Sequence, residues 1–343
     1  VWAALRRLHI PTGTTDDVAV PLDFTHYVQP SLSSDGGSLA FAAYTVNKRL
    51  ADIYVWDFNG DDPPSRITSD PAWDAQPSWQ SWHPPVGLVD TTTGMWMLRE
   101  GGSVSEFYYG NPGDYPFVGD WDCNGTTTPG LYRQTDGYVY LRNSNTQGVA
   151  DVRFFFGNPG DHPLAGDFNG DGCDTVSIYR PSEQTFYIIN ELGQDDGGLG
   201  AAEYAFVFGN PGDKPVVGDW DGDGIDEIGL HRETTGLFYH RNTLTTGIAD
   251  DQFFFGNPGD RFIAGDWGIT DGKETPAVFR PSNATFYFRH TLDQGTADSQ
   301  YTWAGAQDST PTAGPFDNEQ APPPGTHIRN YATRICADMR GCC

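Results

Sequence analysis

The sequence predicts an all-β chain built as a β-propeller of four-stranded blades, and two observations carry that prediction. An acid-and-glycine turn recurs between short apolar runs, and a second phrase, Gly-Asn-Pro-Gly-Asp, recurs with it. The phrase occupies residues 110–114, 157–161, 209–213 and 256–260, in steps of 47, 52 and 47 residues. A fixed step of this size marks a solenoid, a propeller or an array. Short runs rich in β-branched and aromatic residues, punctuated by Gly, Pro, Asn and Asp, mark strands joined by turns. No long stretch carries a helical period.

One repeat can be read element by element. Residues 215–220 form a strand that runs into the acidic turn. Residues 227–232 form a second strand, residues 234–236 a turn, residues 237–241 a third strand and residues 251–255 a fourth, closed by 256–259. Four strands in about fifty residues is the content of one propeller blade. Such blades begin near Phe117, Leu164, Val216 and Ile263. Residues 86–99, followed by 107–114, match the later half of the unit, so they read as a fifth blade without its acidic turn; residues 80–84 stand in that place. Upstream the text changes, but Gln29-Pro-Ser-Leu32 is echoed by Gln76-Pro-Ser-Trp79, which adds a sixth blade. Six blades can close a ring, and a seventh assembled from the two termini stays open. The organisation read this way is an N-terminal segment, 1–27, that would help complete a blade; a distinct blade, 28–80; the repeated blades of the same propeller, 81–316; and a Pro-rich linker with a cysteine-bearing tail, 317–343.

The acidic turn is the chemistry-bearing motif. Its fullest copy is Asp219-Trp-Asp-Gly-Asp-Gly-Ile-Asp-Glu227. Carboxylates at alternate positions, with glycines permitting a sharp turn, are what Ca²⁺ requires, because it takes six to eight oxygens and such a loop supplies several at once. The expected ligands here are Asp219, Asp221, Asp223 and Asp226, with the carbonyl of Ile225 and with Glu227 at the ninth position. The second copy offers Asp167, Asn169, Asp171 and Asp174, with the carbonyl of Cys173. The third offers Asp120, Asp122 and Asn124, with no acid to close it. A fourth, around Asp266 and Asp271, has lost the spacing. A metal-free turn, in which Asp and Asn bond nearby backbone N–H groups, is the competing reading. Four unneutralised carboxylates in one turn repel one another, and this favours a cation.

The acidic blades resemble the FG-GAP/VCBS class of repeats, as in integrin α-chain propellers and many secreted bacterial proteins. Loop, Tyr-Arg, aromatic strand and Gly-Asn-Pro-Gly-Asp recur in the same order over residues 86–312. Residues 28–80, with Asp52-Ile-Tyr-Val-Trp-Asp57 and Arg66-Ile-Thr-Ser-Asp70, resemble a TolB-type blade. The resemblance implies a propeller with calcium loops. The family's loop usually closes with an acid at its ninth position. Here the acids Asp174 and Asp226 sit at the eighth, and only Glu227 occupies the ninth.

Other recurring residues have structural readings. Trp121, Phe168, Trp220 and Trp267 share one slot, read as core between blades, although exposed rings there would stack on sugars. Arg133, Arg180, Arg232 and Arg280 recur and are read as partners of repeated acids such as Asp114 and Asp213. The five cysteines comprise Cys123 and Cys173, in acidic turns of adjacent blades, and Cys336, Cys342 and Cys343 in the tail. Adjacent blades place corresponding loops on one rim, so Cys123 and Cys173 would pair if geometry permits; two free thiols are the alternative. An odd count leaves a thiol for an intermolecular bond. Asn124 and Asn283 match the N-glycosylation pattern.

Composition narrows the function. Of 343 residues, 46 are acidic and 20 are Lys or Arg, a net charge of −26. That balance argues against nucleic acid, whose binding needs cations to displace counterions, and against anionic membrane surfaces. No apolar run is long enough to cross a bilayer. A chain opening Val-Trp reads as a processed form or a fragment. No nucleophile elbow, zinc-protease motif or phosphate-binding loop occurs, although a carboxylate pair for glycoside hydrolysis stays open. The expectation is a secreted or cell-surface, calcium-binding scaffold or adhesive propeller that does not catalyse, with itself as a partner in a homo-oligomer or fibre. A carbohydrate-binding propeller that recognises extracellular glycans is the alternative. The accessory part of a secreted polysaccharide- or peptide-degrading enzyme is the second.

Overall fold

The computed structural model describes residues 84–316, apart from 101–102, 194–196, 200, 268–272 and 307, together with residues 5–9, 14–18, 26–32, 38–44, 51–57 and 64–66 upstream. Cys336, Cys342, Cys343 and the linker lie outside the described residues, as does Asp271. The described residues contain no helix, hence none long and apolar enough to cross a membrane. Their strands form six four-stranded antiparallel sheets, the number of blades expected, and one two-stranded ribbon.

The chain divides into two compact units, Val1–Trp82 with Gly325–Cys343, and His83–Pro324. The first unit contains the ribbon, strands β1 (Leu5–His9) and β2 (Thr14–Val18), and one sheet made of β3 (His26–Leu32), β4 (Ser38–Tyr44), β5 (Asp52–Asp57) and β6 (Ser65–Arg66). Phe41 and Tyr54, facing each other across β4 and β5, anchor its small core.

The second unit holds five sheets. Strands β7 (Val86–Asp90), β8 (Met95–Glu100) and β9 (Ser103–Tyr108) come first in the chain. The next sheet is β10 (Tyr115–Gly119), β11 (Thr128–Arg133), β12 (Tyr138–Leu141) and β13 (Val152–Phe155). It is followed by β14 (His162–Gly166), β15 (Thr175–Arg180), β16 (Thr185–Ile188) and β17 (Tyr204–Val207). The third repeat is β18 (Lys214–Gly218), β19 (Glu227–Arg232), β20 (Leu237–Arg241) and β21 (Asp251–Phe254). The fourth is β22 (Arg261–Gly265), β23 (Thr275–Arg280), β24 (Thr285–Phe288) and β25 (Ser299–Thr302). The last strand, β26 (Thr310–Ala313), pairs antiparallel with β7 and completes the sheet β26-β7-β8-β9. The first strands of the sheets touch in a closed cycle, β10 to β14, β14 to β18, β18 to β22, β22 to β26, and β26 back to β10. These five sheets therefore surround a channel by themselves.

From its sequence the blade read from residues 86–99 and 107–114 is expected to lack its acidic turn, with residues 80–84 in that place. The structure supplies the reason. Its first strand comes from the other end of the unit, so no turn joins first strand to second; the chain enters and leaves the ring there. Phe316 follows β26 and is buried with Trp96 and Leu131, filling the aromatic slot of that blade.

Packing explains the repeat. Second strands are buried along both faces, whereas fourth strands are mostly exposed, with Phe155, Val207 and Phe254 on the outside. Each apolar cluster combines neighbouring blades: Phe117 and Trp121 with Val176 and Ile178, Leu164 and Phe168 with Ile228 and Leu230, Trp220 and Phe238 with Val278. In this unit the blades bury their faces on each other, and each of these clusters draws on two neighbouring sheets. The first strands have one edge toward the channel. Four of them carry Pro at their second residue, Pro116, Pro163, Pro215 and Pro311, which suits an edge because proline has no N–H to leave unpaired.

The repeated Arg pairs as expected. Arg133, Arg180, Arg232 and Arg280 bind Asp114, Asp161, Asp213 and Asp260, with nitrogen–oxygen distances of 2.7–3.0 Å. Each guanidinium also lies over a tyrosine ring of the third strand. The same aspartates accept the N–H of the Asn three residues earlier, at 2.8–3.0 Å. One carboxylate thus fixes the Gly-Asn-Pro-Gly-Asp turn and locks it to the second strand.

Candidate metal centre

The acidic turns join the first strand of a blade to its second. In the fullest copy, Asp219 Oδ1 accepts the N–H groups of Gly222 and Asp223 at 2.6 and 3.2 Å, Oδ2 accepts that of Gly224 at 2.8 Å, and Asp223 Oδ1 accepts that of Ile225 at 2.9 Å. Gly222 and Gly224 hold φ of 83° and 86°, a region other residues enter at a cost. The turn so folded gathers carboxylate oxygens of Asp219, Asp221 and Glu227 within 4.8 Å of one another, the one such group among the described residues.

Glu227 is the member that sets this copy apart. It opens β19 and is only 3 % exposed. Its register partner is Gly218. The corresponding residues of the other repeats are Thr128, Thr175 and Thr275, paired with Gly119, Gly166 and Gly265. Those threonine hydroxyls turn back onto the glycine carbonyls at 3.2–3.5 Å. Glu227 instead accepts the Trp220 N–H at 3.2 Å. Burial pushes its carboxyl up to about 8, and the charges of Asp221, Asp219 and Asp223 add to the shift. A buried acid facing two others is stabilised by a cation or a proton.

Asp226 and Asp174, expected to close their own turns, are placed differently. Asp226 Oδ2 accepts the backbone N–H of Asp167 in the preceding blade at 2.7 Å, and Asp174 Oδ2 does the same for Asp120. The backbone answers: the N–H of Asp226 bonds the Asp167 carbonyl at 2.8 Å, and that of Asp174 bonds the Asp120 carbonyl at 3.1 Å. The N–H groups of Glu274 and Thr127 reach the carbonyls of Asp219 and Pro315 in the same way. The eighth position is therefore a clasp between blades. Burial raises the Asp174 carboxyl to about 6, with the charges of Asp120 and Asp167 adding to it, and burial raises those of Asp226 and Glu274 as well, where the charge of Asp174 contributes.

In the second copy, Asp167 gathers the N–H groups of Gly170, Asp171 and Gly172, and Asn169 bonds Asp171. In the third, Asp120 caps Asn124 and Gly125. These are hydrogen-bonded turns, and neither brings a third acid to its oxygens. Cys123 and Cys173 form a disulfide, Cα–Cα 4.7 Å, that ties the third copy to the second. Asn124 is exposed in that tied turn. Asn283 lies in the turn before β24, where its side-chain amide donates to the Tyr287 hydroxyl at 2.9 Å. Trp121, Phe168, Trp220 and Trp267 are buried, in agreement with a core slot.

Spacing alone assigns the eighth-position acids a ligand role and leaves Glu227 as one candidate among six in its turn. A signal for Glu227 is nonetheless present: three of four copies carry Thr where it stands. For the channel there is no such signal. Its cavity measures about 710 Å³ and is bounded at one end by Asp174, Asp226 and Glu274 and at the other by the first residues of the inner strands.

Neither a protein-family model nor a curated protein matches the chain. Among solved structures, it is similar to BBS1N, crystallised in complex with ARL6DN, at 11% identity and a TM-score of 0.34 over 85% of each chain. It is similar to a protein from Lactobacillus plantarum at 12% identity and a TM-score of 0.34, over 83% of this chain and 86% of that one. Apo AztD from Citrobacter koseri aligns at 10% identity and a TM-score of 0.26, over 87% of this chain and 90% of that one. Likeness this distant says nothing about what the chain binds.

Proposed function

We propose that the chain is an extracellular β-propeller of the FG-GAP/VCBS repeat type, stabilised by calcium and used as a scaffold or adhesive subunit. The observation that carries the reading is the convergence of Asp219, Asp221 and Glu227 on one point. All three donors are hard oxygens, the ligands Ca²⁺ prefers. Asp223 and the Ile225 carbonyl belong to the same turn and would complete the shell with water. Bound there, the ion would neutralise Glu227 and fix the turn between β18 and β19. The copies at Asp167 and Asp120 need no ion to hold their shape: backbone N–H groups and the disulfide do so. A disulfide and a surplus of acids suit an oxidising, calcium-rich surrounding. Absent catalytic motifs favour a binding or assembly role over turnover.

The test is calorimetric melting of the whole chain with calcium and with excess chelator. Ligand that binds only the folded state raises its stability by mass action, so the chelated protein should melt lower. Equal melting temperatures would remove calcium from the reading.

A further inference from the structure

At the end of the channel away from Asp174, Asp226 and Glu274, two cations stand apart from the repeated ion pairs. Arg133, Arg180, Arg232 and Arg280 are each held by an aspartate. Arg142 and Arg241 are spent on carbonyls of their own loops. Lys214 and Arg261, the first residues of adjacent inner strands β18 and β22, line the cavity instead. Neither forms an ion pair among the described residues, in a chain that carries 46 acids. The Arg261 guanidinium is fixed by donating Nη1 to the Ser309 carbonyl at 2.6 Å.

A second observation points to a ligand at the same place. His231 lines the cavity, is 1 % exposed, and has no hydrogen-bond partner among the described residues on either ring nitrogen. The residues at its register in the other repeats are Tyr132, Tyr179 and Phe279, so packing alone does not demand a histidine. Buried polar groups without partners are rare and call for an unplaced one. His162 Nδ1, on the neighbouring inner strand, is likewise without a partner among the described residues. The Tyr115 and His162 rings stand 5.3 Å apart along this rim, and Glu233 lines it too.

We infer that this end of the channel binds a hydroxylated organic carboxylate, the chemistry of a sugar acid. Lys214 and Arg261 would take the carboxylate. His231 and Glu233 would take hydroxyl groups, and the Tyr115 face would cover the ring. The charge count selects the class. Asp114, Asp120, Asp174, Asp226, Glu233 and Glu274 line the same cavity as Lys214 and Arg261, so a single carboxylate beside the two cations is repelled less by these acids than a phosphate ester carrying about −1.5 to −2. A cavity of about 710 Å³ is within the range of small-molecule sites. The inference stands apart from the calcium turn, because none of these residues belongs to it.

The experiment is titration calorimetry on the full chain in calcium-containing buffer, with glucuronate, glucose and inorganic phosphate as probes. Glucuronate should bind, and glucose and phosphate should bind at least about tenfold more weakly, a difference of roughly 1.4 kcal/mol. The double variant Lys214→Met with Arg261→Met should lose at least a factor of about ten for glucuronate while its calcium titration is unchanged. Proton-nitrogen spectra of the histidine rings give a second readout on the unaltered chain: glucuronate should shift the His231 resonances, and glucose should not. Equal affinity for glucose and glucuronate, tighter binding of phosphate, an undiminished double variant, or unmoved His231 resonances at saturating probe would each overturn the assignment.

Discussion

Asp226 Oδ2 accepts the backbone N–H of Asp167 at 2.7 Å, while the Asp226 N–H bonds the Asp167 carbonyl at 2.8 Å. Two bonds between the same two residues, 59 positions apart, clasp the head of one acidic turn to the next blade. Replacing Asp226 by Ala should leave the Asp167 N–H without its acceptor and cost about 1–2 kcal/mol. Asp226→Asn keeps an acceptor oxygen and removes a charge from the Asp174–Asp226–Glu274 group, so it should cost less than the alanine variant. Urea unfolding of the three proteins checks the order; an asparagine variant as unstable as the alanine variant would contradict the clasp.

The ion pairs behind each Gly-Asn-Pro-Gly-Asp turn are a different kind of restraint. Asp213 is 4 % exposed and receives two bonds from Arg232. Arg232→Met should destabilise by about 3 kcal/mol, because it strands a buried carboxylate. Adding Asp213→Asn should restore part of that loss. A double variant no better than the single one would mean that Arg232 acts through its packing on Tyr239.

The disulfide joins residues separated by 50 positions. Closing a loop of that size in the unfolded chain is worth about 4 kcal/mol in the chain-entropy account. Cys123→Ser with Cys173→Ser should therefore lower stability by about 2–4 kcal/mol. Thermal melts under matched calcium check this, and an unchanged midpoint would show that the turns are held by their other bonds alone.

Much of this architecture is legible in the sequence, for a physical reason. Strand runs, turn glycines and the Arg–Asp pairs are local or repeat with the blade, so one copy teaches the others. The pairing of Cys123 with Cys173 is one of two outcomes the sequence allows, because corresponding turns of adjacent blades share a rim; the fourth residue of one turn meets the seventh of the next. Contacts that depend on how blades meet are not legible. Asp226 reads as a ligand of its own turn because nothing in the sequence says that the eighth residue faces the preceding blade. The pairing of β26 with β7 joins residues that share no phrase of the repeat. The channel arises only when Tyr115, His162, Lys214 and Arg261, each placed directly after its Gly-Asn-Pro-Gly-Asp phrase, are brought around one axis.

His231 makes a pH prediction with a definite sign. Burial lowers its imidazole from the ordinary 6.5 to about 4. Between those values the unfolded chain takes up a proton that the folded chain refuses, so folded stability falls as pH drops from 6.5 toward 4. His231→Phe, which copies Phe279 at the same register, removes that contribution. Relative to the variant, the parent protein should lose up to about 3 kcal/mol across this window. The acids at the other end of the channel are the same in both proteins and cancel in the comparison. Parallel stability curves from pH 7 to pH 4 would contradict a neutral, buried His231.

The central claim is that Asp219, Asp221 and Glu227 hold a calcium ion. Calcium titration calorimetry of the full chain, beside its Glu227→Gln and Asp174→Asn variants, tests it most directly. The account expects a site that Glu227→Gln weakens at least about tenfold, roughly 1.4 kcal/mol, and that Asp174→Asn leaves intact, since Asp174 serves the Asp120 backbone. No calcium heat from the parent protein, or a site lost with Asp174→Asn and kept with Glu227→Gln, would contradict it.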